Sequence, residues 1–256
     1  MILLMLAAFL LPQIAGAVID IVIGMFVPGY TAGLTIALFS ILFLFIYCRK
    51  RRLSITKLTK ETSKNAIIFL LPNIINIIVS AIQLVTGART FGGFTYQVFA
   101  ISLMAGVSEE IAFRGVPISH ILTKKPAEKT IPISVAVTSI LFGAVHLSNV
   151  AGGVTWTMAI YQATAAACLG VLYAAVFLRT KSVLPTILAH FTNDVVGLLD
   201  SGSTANGLMT NITLTKLDYI DIAFAAVYLI VGIYIVRPAK HKEILELWKK
   251  DEEQND

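Results

Sequence analysis

Long apolar stretches separated by short polar segments are the main pattern along the chain. A helix needs about 20 largely apolar residues to cross the hydrocarbon layer of a bilayer, which is about 30 Å thick. Eight stretches reach or approach that length, so the pattern predicts an all-α bundle of about eight transmembrane helices. They lie at about 2–26, 30–48, 65–87, 95–118, 131–148, 154–178, 183–200 and 218–236.

The longest uncharged stretch and the composition support this interpretation. From Thr130 to Leu178 there is no Asp, Glu, Lys or Arg, and these 49 residues are too many for one crossing. The segment 148–153 ends in two glycines and supplies a turn between two helices. Of all residues, 57% are hydrophobic and 14% charged, whereas an average soluble domain is about 25% charged. Because the mean hydropathy of +0.81 is spread along the chain, a soluble enzyme with a single membrane anchor is excluded.

The net charge of +5 is explained by the distribution of basic residues, so no nucleic-acid partner is inferred. If the amino terminus is cytoplasmic, 17 of the 20 Lys and Arg residues fall in cytoplasmic segments. The positive-inside rule then predicts that both termini are cytoplasmic. The polar tail from Arg237 to Asp256 is expected to form a solvated helix at the inner surface. Cys48 and Cys168 lie in apolar stretches and are expected to be reduced packing residues.

Several ionisable side chains lie inside the predicted crossings, where each costs at least about 2.5–3.5 kcal/mol. Six of them cluster on three later helices: Glu109, Glu110, Arg114, His146, His190 and Asp194. Asp20 is an isolated case in the first helix, and Asp218 and Asp221 lie at the outer edge of the last one. Neighbouring residues on a helix point about 100° apart, so Glu109 and Glu110 cannot face one small site, whereas Glu110 and Arg114 can pair at i,i+4. By the same spacing, His190 shares a face with Asp194 or with Asn193.

One carboxylate and two imidazoles on three helices can activate a water molecule, because a glutamate can accept its proton and a histidine can orient it. Two other interpretations remain open from the residues alone. The cluster can be a polar network that ties helices together, or a proton or ion pathway in a transporter.

Three motifs in this order resemble a known family. Residues 109–114 read EExxxR, residues 142–146 read FxxxH, and residues 190–194 read HxxxD. The pattern resembles the CPBP family (CAAX proteases and bacteriocin-processing enzymes, also called Abi), which are intramembrane glutamic endopeptidases that include the type II CAAX prenyl endopeptidase. The resemblance covers about residues 95–200, so we expect a catalytic core there. Helices 1–3 would occupy residues 1–94, and an outer loop, the last helix and a tail would occupy residues 201–256.

The resemblance implies a role for each matching residue. Glu109 would be the general base, and His146 its partner on the attacking water. His190 and the residue four positions later would stabilise the oxyanion, with Glu110 and Arg114 as structural support. The family often has Asn at that later position, whereas this chain has Asp194 with Asn193 beside it. An ionised Asp cannot donate a hydrogen bond, so the sequence leaves open which of the two takes that role.

The resemblance also implies a substrate and a mechanism without a cofactor. The expected partners are the lipid bilayer and a membrane-associated peptide or protein, in the plasma membrane of a bacterium; the oligomeric state is unknown. Glu and two His could bind zinc, but the HExxH helix is absent and the family points to metal-free hydrolysis, so no cofactor or metal is expected.

The helical rise of 1.5 Å per residue predicts where the site lies. Counted from the nearest basic residues, a straight fourth helix would put Glu109 one to two turns deeper than His190. Pro117 can remove this mismatch by breaking the helix. We therefore expect a break or kink near Gly115 to Pro117, and a shared cavity for Glu109, His146 and His190 that opens toward the cytoplasm.

Overall fold

The computed structural model describes residues 1–27, 33–57, 59–199 and 216–249. Within these ranges the chain is built from helices, which confirms the all-α class. The eleven α-helices of the described part are α1 (Ile2–Phe26), α2 (Leu34–Arg51), α3 (Lys60–Phe69), α4 (Leu71–Val85), α5 (Tyr96–Glu110), α6 (Val116–Lys124), α7 (Thr130–Val145), α8 (Trp156–Thr180), α9 (Leu184–Leu198), α10 (Lys216–Ile235) and α11 (His241–Lys249).

Three helices of the described part are long and apolar enough to span a membrane, and two bent helix pairs raise the number to five. The three are α1, α8, and α7 with its 3₁₀ extension to Gly152. The pairs are α3 with α4 and α10 with α11, bent by 61° and 50°. The chain is therefore an integral membrane protein, but the count of eight crossings is not confirmed. The helix α2 ends in three basic residues, and α5 and α9 have only 15 residues each.

The predicted crossing at 65–87 is wrong as a single helix, because the chain bends at Leu70 between α3 and α4. Pro72 lies in the first turn of α4. Proline fits there because its missing N–H needs no partner in a first turn, whereas within a continuous helix it removes a hydrogen bond and its ring clashes with the preceding turn.

The expected irregularity before Pro117 takes the form of a π-helical segment, Ile111–Gly115, between α5 and α6. The N–H of Val116 bonds to the carbonyl of Ile111, five residues earlier. Pro117 has no N–H to continue the regular ladder, which accounts for a departure from α geometry at this place. Residues 111–119 are all buried, so this segment lies inside the protein.

Glycines bring the central helices close together. At Gly106 in α5, an added Cβ would lie 2.9 Å from the backbone nitrogen of Phe191 in α9. At Gly170 in α8, it would lie 3.2 Å from the Cα of Ser139 in α7. No larger side chain fits at such approaches without movement of the backbone, so these glycines set the spacing of the helices that carry the ionisable residues.

The carboxy-terminal helix α11 is docked on one side, which corrects the expectation of a merely solvated helix. Ile244 and Trp248 are buried. The Trp248 ring lies 5.3 Å from that of Phe177, and its Nε1 donates to the carbonyl of Leu178. The predicted outer loop from residue 201 to 215 and the end of the tail, 250–256, lie outside the described residues.

Candidate functional site

His190 is the centre of the ionisable cluster. Its Nδ1 lies 3.0 Å from Oε1 of Glu110. Its Nε2 lies 3.5 Å from Oδ2 of Asp194 and 3.8 Å from Oε2 of Glu109. The structure therefore brings α5 and α9 together at one imidazole, which contacts three carboxylates. This contact follows from the close approach at Gly106, because Glu109 and Glu110 come about one turn later on α5.

Glu109 and Glu110 lie 3.8 and 3.0 Å from the same imidazole, so the prediction that they cannot face one small site is wrong, but the rest of their surroundings differs. The Glu110 and Arg114 side chains are both fully buried, and Arg114 Nη1 donates to Glu110 Oε1 at 2.6 Å. Glu109 keeps 19% of its side chain exposed, and Asp194 keeps 26%. The i,i+4 ion pair expected from the sequence is thus present, and Glu109 is the partly exposed glutamate.

Aromatic rings surround the buried guanidinium of Arg114. Its Cζ lies 4.0 Å from the centre of the Phe142 ring and 5.7 Å from that of Tyr173. Among the described residues, Nε and Nη2 of Arg114 and Oε2 of Glu110 have no hydrogen-bond partner. The ring faces attract a cation and partly replace its lost hydration. An added Cβ at Gly170 would lie 3.0 Å from Arg114 Nη2, so the absence of a side chain there leaves room for the guanidinium.

His146 lies where α7 changes into a 3₁₀ segment that extends to Gly152. Its Nδ1 is 3.0 Å from the carbonyl oxygen of Phe142, which can only accept a hydrogen bond. In the neutral ring this contact places the proton on Nδ1 and leaves the lone pair on Nε2. The Phe142 ring lies 5.3 Å from the ring of His146 and 5.7 Å from that of His190. Both imidazoles therefore pack against the same phenyl ring.

Two residues that the sequence did not single out join the cluster. Tyr173 donates to Asn73 Oδ1 at 3.1 Å, and Asn73 Nδ2 donates to Asn193 Oδ1 at 3.3 Å. This chain of hydrogen bonds links α4, α8 and α9 and leaves the amide N–H groups of Asn193 as donors. Asn73 is a fully buried polar residue in an apolar stretch. Uncharged amides at membrane depth were the sequence signal that could have identified it.

Glu109 and His190 lie at the same level, which removes the mismatch expected for a straight helix. A Cβ added at Gly115 would lie 3.7 Å from side-chain atoms of both Ile55 and Val183. The N–H of Val183 donates to the carbonyl of Ile55, so the three residues mark one level in the bundle. Glu109 is six residues from Gly115 and His190 is seven from Val183, so they lie about 9 and 10.5 Å from this shared level at 1.5 Å per residue.

Comparisons with known proteins identify the region that carries the site. Residues 91–196 match the family model described as type II CAAX prenyl endopeptidase, Rce1-like. The matched segment includes all six ionisable residues of the cluster. No curated protein and no solved structure matches the chain. Among the described residues, no three His, Cys, Asp or Glu side chains form a group that could hold a metal ion. Residues 91–196 of this integral membrane protein are thus a domain of the Rce1-like CAAX protease family.

Proposed function

We propose that this protein is an intramembrane endopeptidase in which Glu109 activates the water that hydrolyses a peptide bond. The observation that carries the proposal is the division between the two glutamates. Glu110 is buried and paired with Arg114 and His190, whereas Glu109 is partly exposed beside the same imidazole. A carboxylate that solvent reaches, next to a fixed imidazole, is suited to general-base catalysis.

In the proposed reaction, Glu109 accepts a proton from water while the water oxygen forms a bond to the carbonyl carbon of the substrate. The carbonyl oxygen then carries the negative charge of a tetrahedral intermediate. Glu109 passes the proton to the amide nitrogen, the carbon–nitrogen bond breaks, and an amine and a carboxylic acid leave. Atoms and protons balance without a cofactor, so none is proposed.

We assign the two histidines different tasks. The Nδ1 of His146 contacts the Phe142 carbonyl, so its Nε2 can accept a hydrogen bond from the attacking water and orient it. The Nδ1 of His190 contacts Glu110, and a protonated Nε2 of that ring would donate to the oxyanion. Glu110 and Arg114 support this arrangement by holding His190 in one orientation.

We assign the second oxyanion donor to Asn193 and an orienting role to Asp194. The side-chain oxygen of Asn193 accepts a hydrogen bond from Asn73. The N–H groups of Asn193 therefore point away from Asn73. Asp194 lies 3.5 Å from His190 Nε2 and, when ionised, can only accept. The proposed catalytic core, residues 95–200, thus depends on Asn73 from the preceding segment.

We also propose a topology with both termini in the cytoplasm of a bacterial cell, and contacts between helix ends agree with its grouping of the loops into two sides. Arg179 pairs with Glu243 at 2.7 Å, and Val183 bonds to Ile55. All four belong to, or directly adjoin, segments that the basic residues assign to the cytoplasm. At the opposite ends, Arg89 pairs with Asp221, and Gly92 bonds to Leu199. Each contact joins segments of the same predicted side.

One observation favours the alternative of a non-catalytic or transport-type protein: Asp194 stands where the family often has Asn. The deciding experiment is proteolysis of membrane-anchored peptides by the purified protein, beside its Glu109→Ala variant. We expect cleavage by the wild type, loss of cleavage in the variant, and no inhibition by chelators. Equal cleavage by both proteins would overturn the role of Glu109. Loss of cleavage with a chelator, restored by added zinc, would replace the glutamate mechanism with a metal-dependent one.

A further inference from the structure

Three positively charged groups lie where the ends of three helices come together. The amino terminus of the chain, at Met1, directly precedes α1, Arg51 is the last residue of α2, and Lys124 is the last residue of α6. His120 lies about one turn before Lys124. The helix α1 packs against both α2 and α6, and two hydroxyl groups of α2 and α6 lie 3.3 Å apart. The three charges therefore face one region of the protein.

The imidazole of His120 senses all three charges. Burial lowers the pKa of His120, and the positive charges of Lys124, Arg51 and the amino terminus lower it further, because nearby cations disfavour a protonated imidazole. The side chains of Arg51 and Lys124 are exposed, whereas His120 is half-buried. We call the amino terminus, Arg51 and Lys124, which surround His120, the cationic cluster.

The cationic cluster is separated from the carboxylates of the protein. No Asp or Glu occurs in the segments that carry the cluster, which are 1–19, 21–60 and 111–127. Within the described part of the chain, none of the three cations forms an ion pair. In the other basic loops, by contrast, Arg179 and Lys240 both pair with Glu243. The positive-inside rule explains an excess of cations but not this separation, so the cluster is suited to a bound anion.

Apolar side chains next to the cationic cluster favour a lipid over a free anion. Along α2, exposed hydrophobic side chains continue as far as Ile46, and exposed cations begin at Arg49. Along α1, Ile2 and Leu3 are exposed directly after the amino terminus. In an integral membrane protein such side chains contact acyl chains, so the cluster lies at the level of the lipid headgroups. A ligand that fits both surfaces has an anionic headgroup and a hydrocarbon tail.

We propose that the cationic cluster binds an anionic phospholipid, whose headgroup phosphate lies between the ends of α1, α2 and α6. Lys and Arg clusters next to membrane-spanning helices are well suited to such headgroups. Because the charges come from three helices, the bound lipid holds α1 and α2 against α6. Of these helices, only α6 lies within the segment that matches the protease family. The lipid site does not depend on the proposed peptidase function.

Lipid binding by two charge-matched double variants tests the proposal. Arg51→Gln with Lys124→Gln removes two charges of the cationic cluster. Lys64→Gln with Lys129→Gln is the matched control, since it removes two exposed charges that lie elsewhere in the basic loops. Each purified protein is mixed in detergent micelles with phosphatidylglycerol or phosphatidylcholine, and bound lipid is counted by native mass spectrometry. Because both variants lose the same charge, they lose the same general attraction to anionic lipid.

We expect the wild type and the control variant to bind phosphatidylglycerol in preference to phosphatidylcholine. The Arg51→Gln, Lys124→Gln variant should bind phosphatidylglycerol at least about tenfold more weakly than either. Equal binding by the two variants, or no preference in the wild type, would overturn the proposed site. Glycerol phosphate has the phosphate without acyl chains and should not compete at the same concentration as the lipid. Equal competition would show that the site takes a free phosphate and not a lipid.

The pKa of His120, followed by NMR, is a second and local readout. A bound phosphate offsets the neighbouring positive charges, so the pKa should be higher with phosphatidylglycerol than with phosphatidylcholine in the wild type and in the control variant. The difference between the two lipids should be smaller in the Arg51→Gln, Lys124→Gln variant. An equal difference in all three proteins would reflect only the surface potential of the anionic micelle and would contradict the proposed site.

Discussion

Glu109 and Glu110 are adjacent in the chain, yet they differ in burial and in the groups that they contact. Glu110 is fully buried and contacts both Arg114 and His190, so its charge is balanced within the protein. Glu109 contacts the same imidazole at a longer distance and stays partly open to solvent. One residue of offset on a helix, about 100°, is enough to separate the two environments.

Exchange of each glutamate for glutamine should separate catalysis from stability. Glu109→Gln should lower kcat by about 10²–10⁴-fold with unchanged amounts of folded protein, because it removes the proposed general base. Glu110→Gln should lower the amount of folded protein, since an unpaired buried guanidinium costs about 3–5 kcal/mol. Thermal unfolding and the cleavage rate of both variants are the measurements. Full abundance of Glu110→Gln with loss of folded Glu109→Gln would contradict the assignment.

Asn193 and Asp194 can be distinguished in the same way. Asn193→Leu should lower kcat by about 10²–10³-fold, as is typical when an oxyanion donor is removed. Asp194→Asn should keep kcat within about tenfold, because the amide oxygen can still accept from His190 Nε2 before the substrate binds, and that N–H is free to turn to the oxyanion afterwards. An inactive wild type that gains activity through Asp194→Asn would instead support the non-catalytic alternative.

The sequence predicts the parts of the site that depend on local geometry. The pairing of Glu110 with Arg114 and the shared face of His190 and Asp194 follow from i,i+4 spacing alone. The contact of His190 with Glu110 and the contribution of Asn73 depend on how separate helices pack. No periodicity within one helix contains that information, so these contacts were not predicted.

At the scale of helices, the close approach of α5 to α9 should be the most sensitive packing feature. Gly106→Ala would place a Cβ 2.9 Å from the Phe191 nitrogen, so α9 must shift and His190 must move away from both glutamates. We expect a large loss of cleavage and a lower unfolding temperature. The matched control is Gly197→Ala on α9, where a Cβ meets no atom within 4 Å. That variant should unfold at the same or a higher temperature, and equal effects of the two substitutions would contradict this account.

The docking of α11 should depend on burial more than on its ion pairs. Trp248 is 2% exposed and donates a hydrogen bond to Leu178, so Trp248→Ala should cost about 3–5 kcal/mol. Glu243 is largely exposed, and loss of its pair with Arg179 in Glu243→Gln should cost about 1 kcal/mol or less. Limited proteolysis near the carboxyl terminus compares the two. Faster cleavage of Glu243→Gln than of Trp248→Ala would show that charge dominates.

The bend between α3 and α4 shows why apolar stretches alone do not determine the number of crossings. The stretch 65–87 is apolar enough to be read as one helix, yet Pro72 starts a new helix at a different angle. A hydropathy average does not register such a break. The proline marks it, because a residue without a backbone N–H does not continue a helix. The same limit applies to α9, whose length of 15 residues falls short of a full crossing.

At the scale of the whole molecule, the distribution of basic residues makes a direct prediction of orientation. Reporter fusions at Gly207 and Glu252 should give opposite signals, with Glu252 in the cytoplasm, because most Lys and Arg residues lie in the loops assigned to that side. A fusion at Lys125 is the control and should agree with Glu252. The same signal at Gly207 and Glu252 would exclude the topology.

The π-helical segment Ile111–Gly115 has a consequence for the numbering of equivalent positions. A π turn holds about one residue more than an α turn, so it acts as a single-residue insertion that stays within the helix. Relative to a continuous α-helix, α6 is rotated by about 100° with respect to α5. Relatives with one residue fewer between Glu110 and Pro117 would show an apparent gap in alignment, and in them a regular helix would present the same face of α6 to α1 and α7.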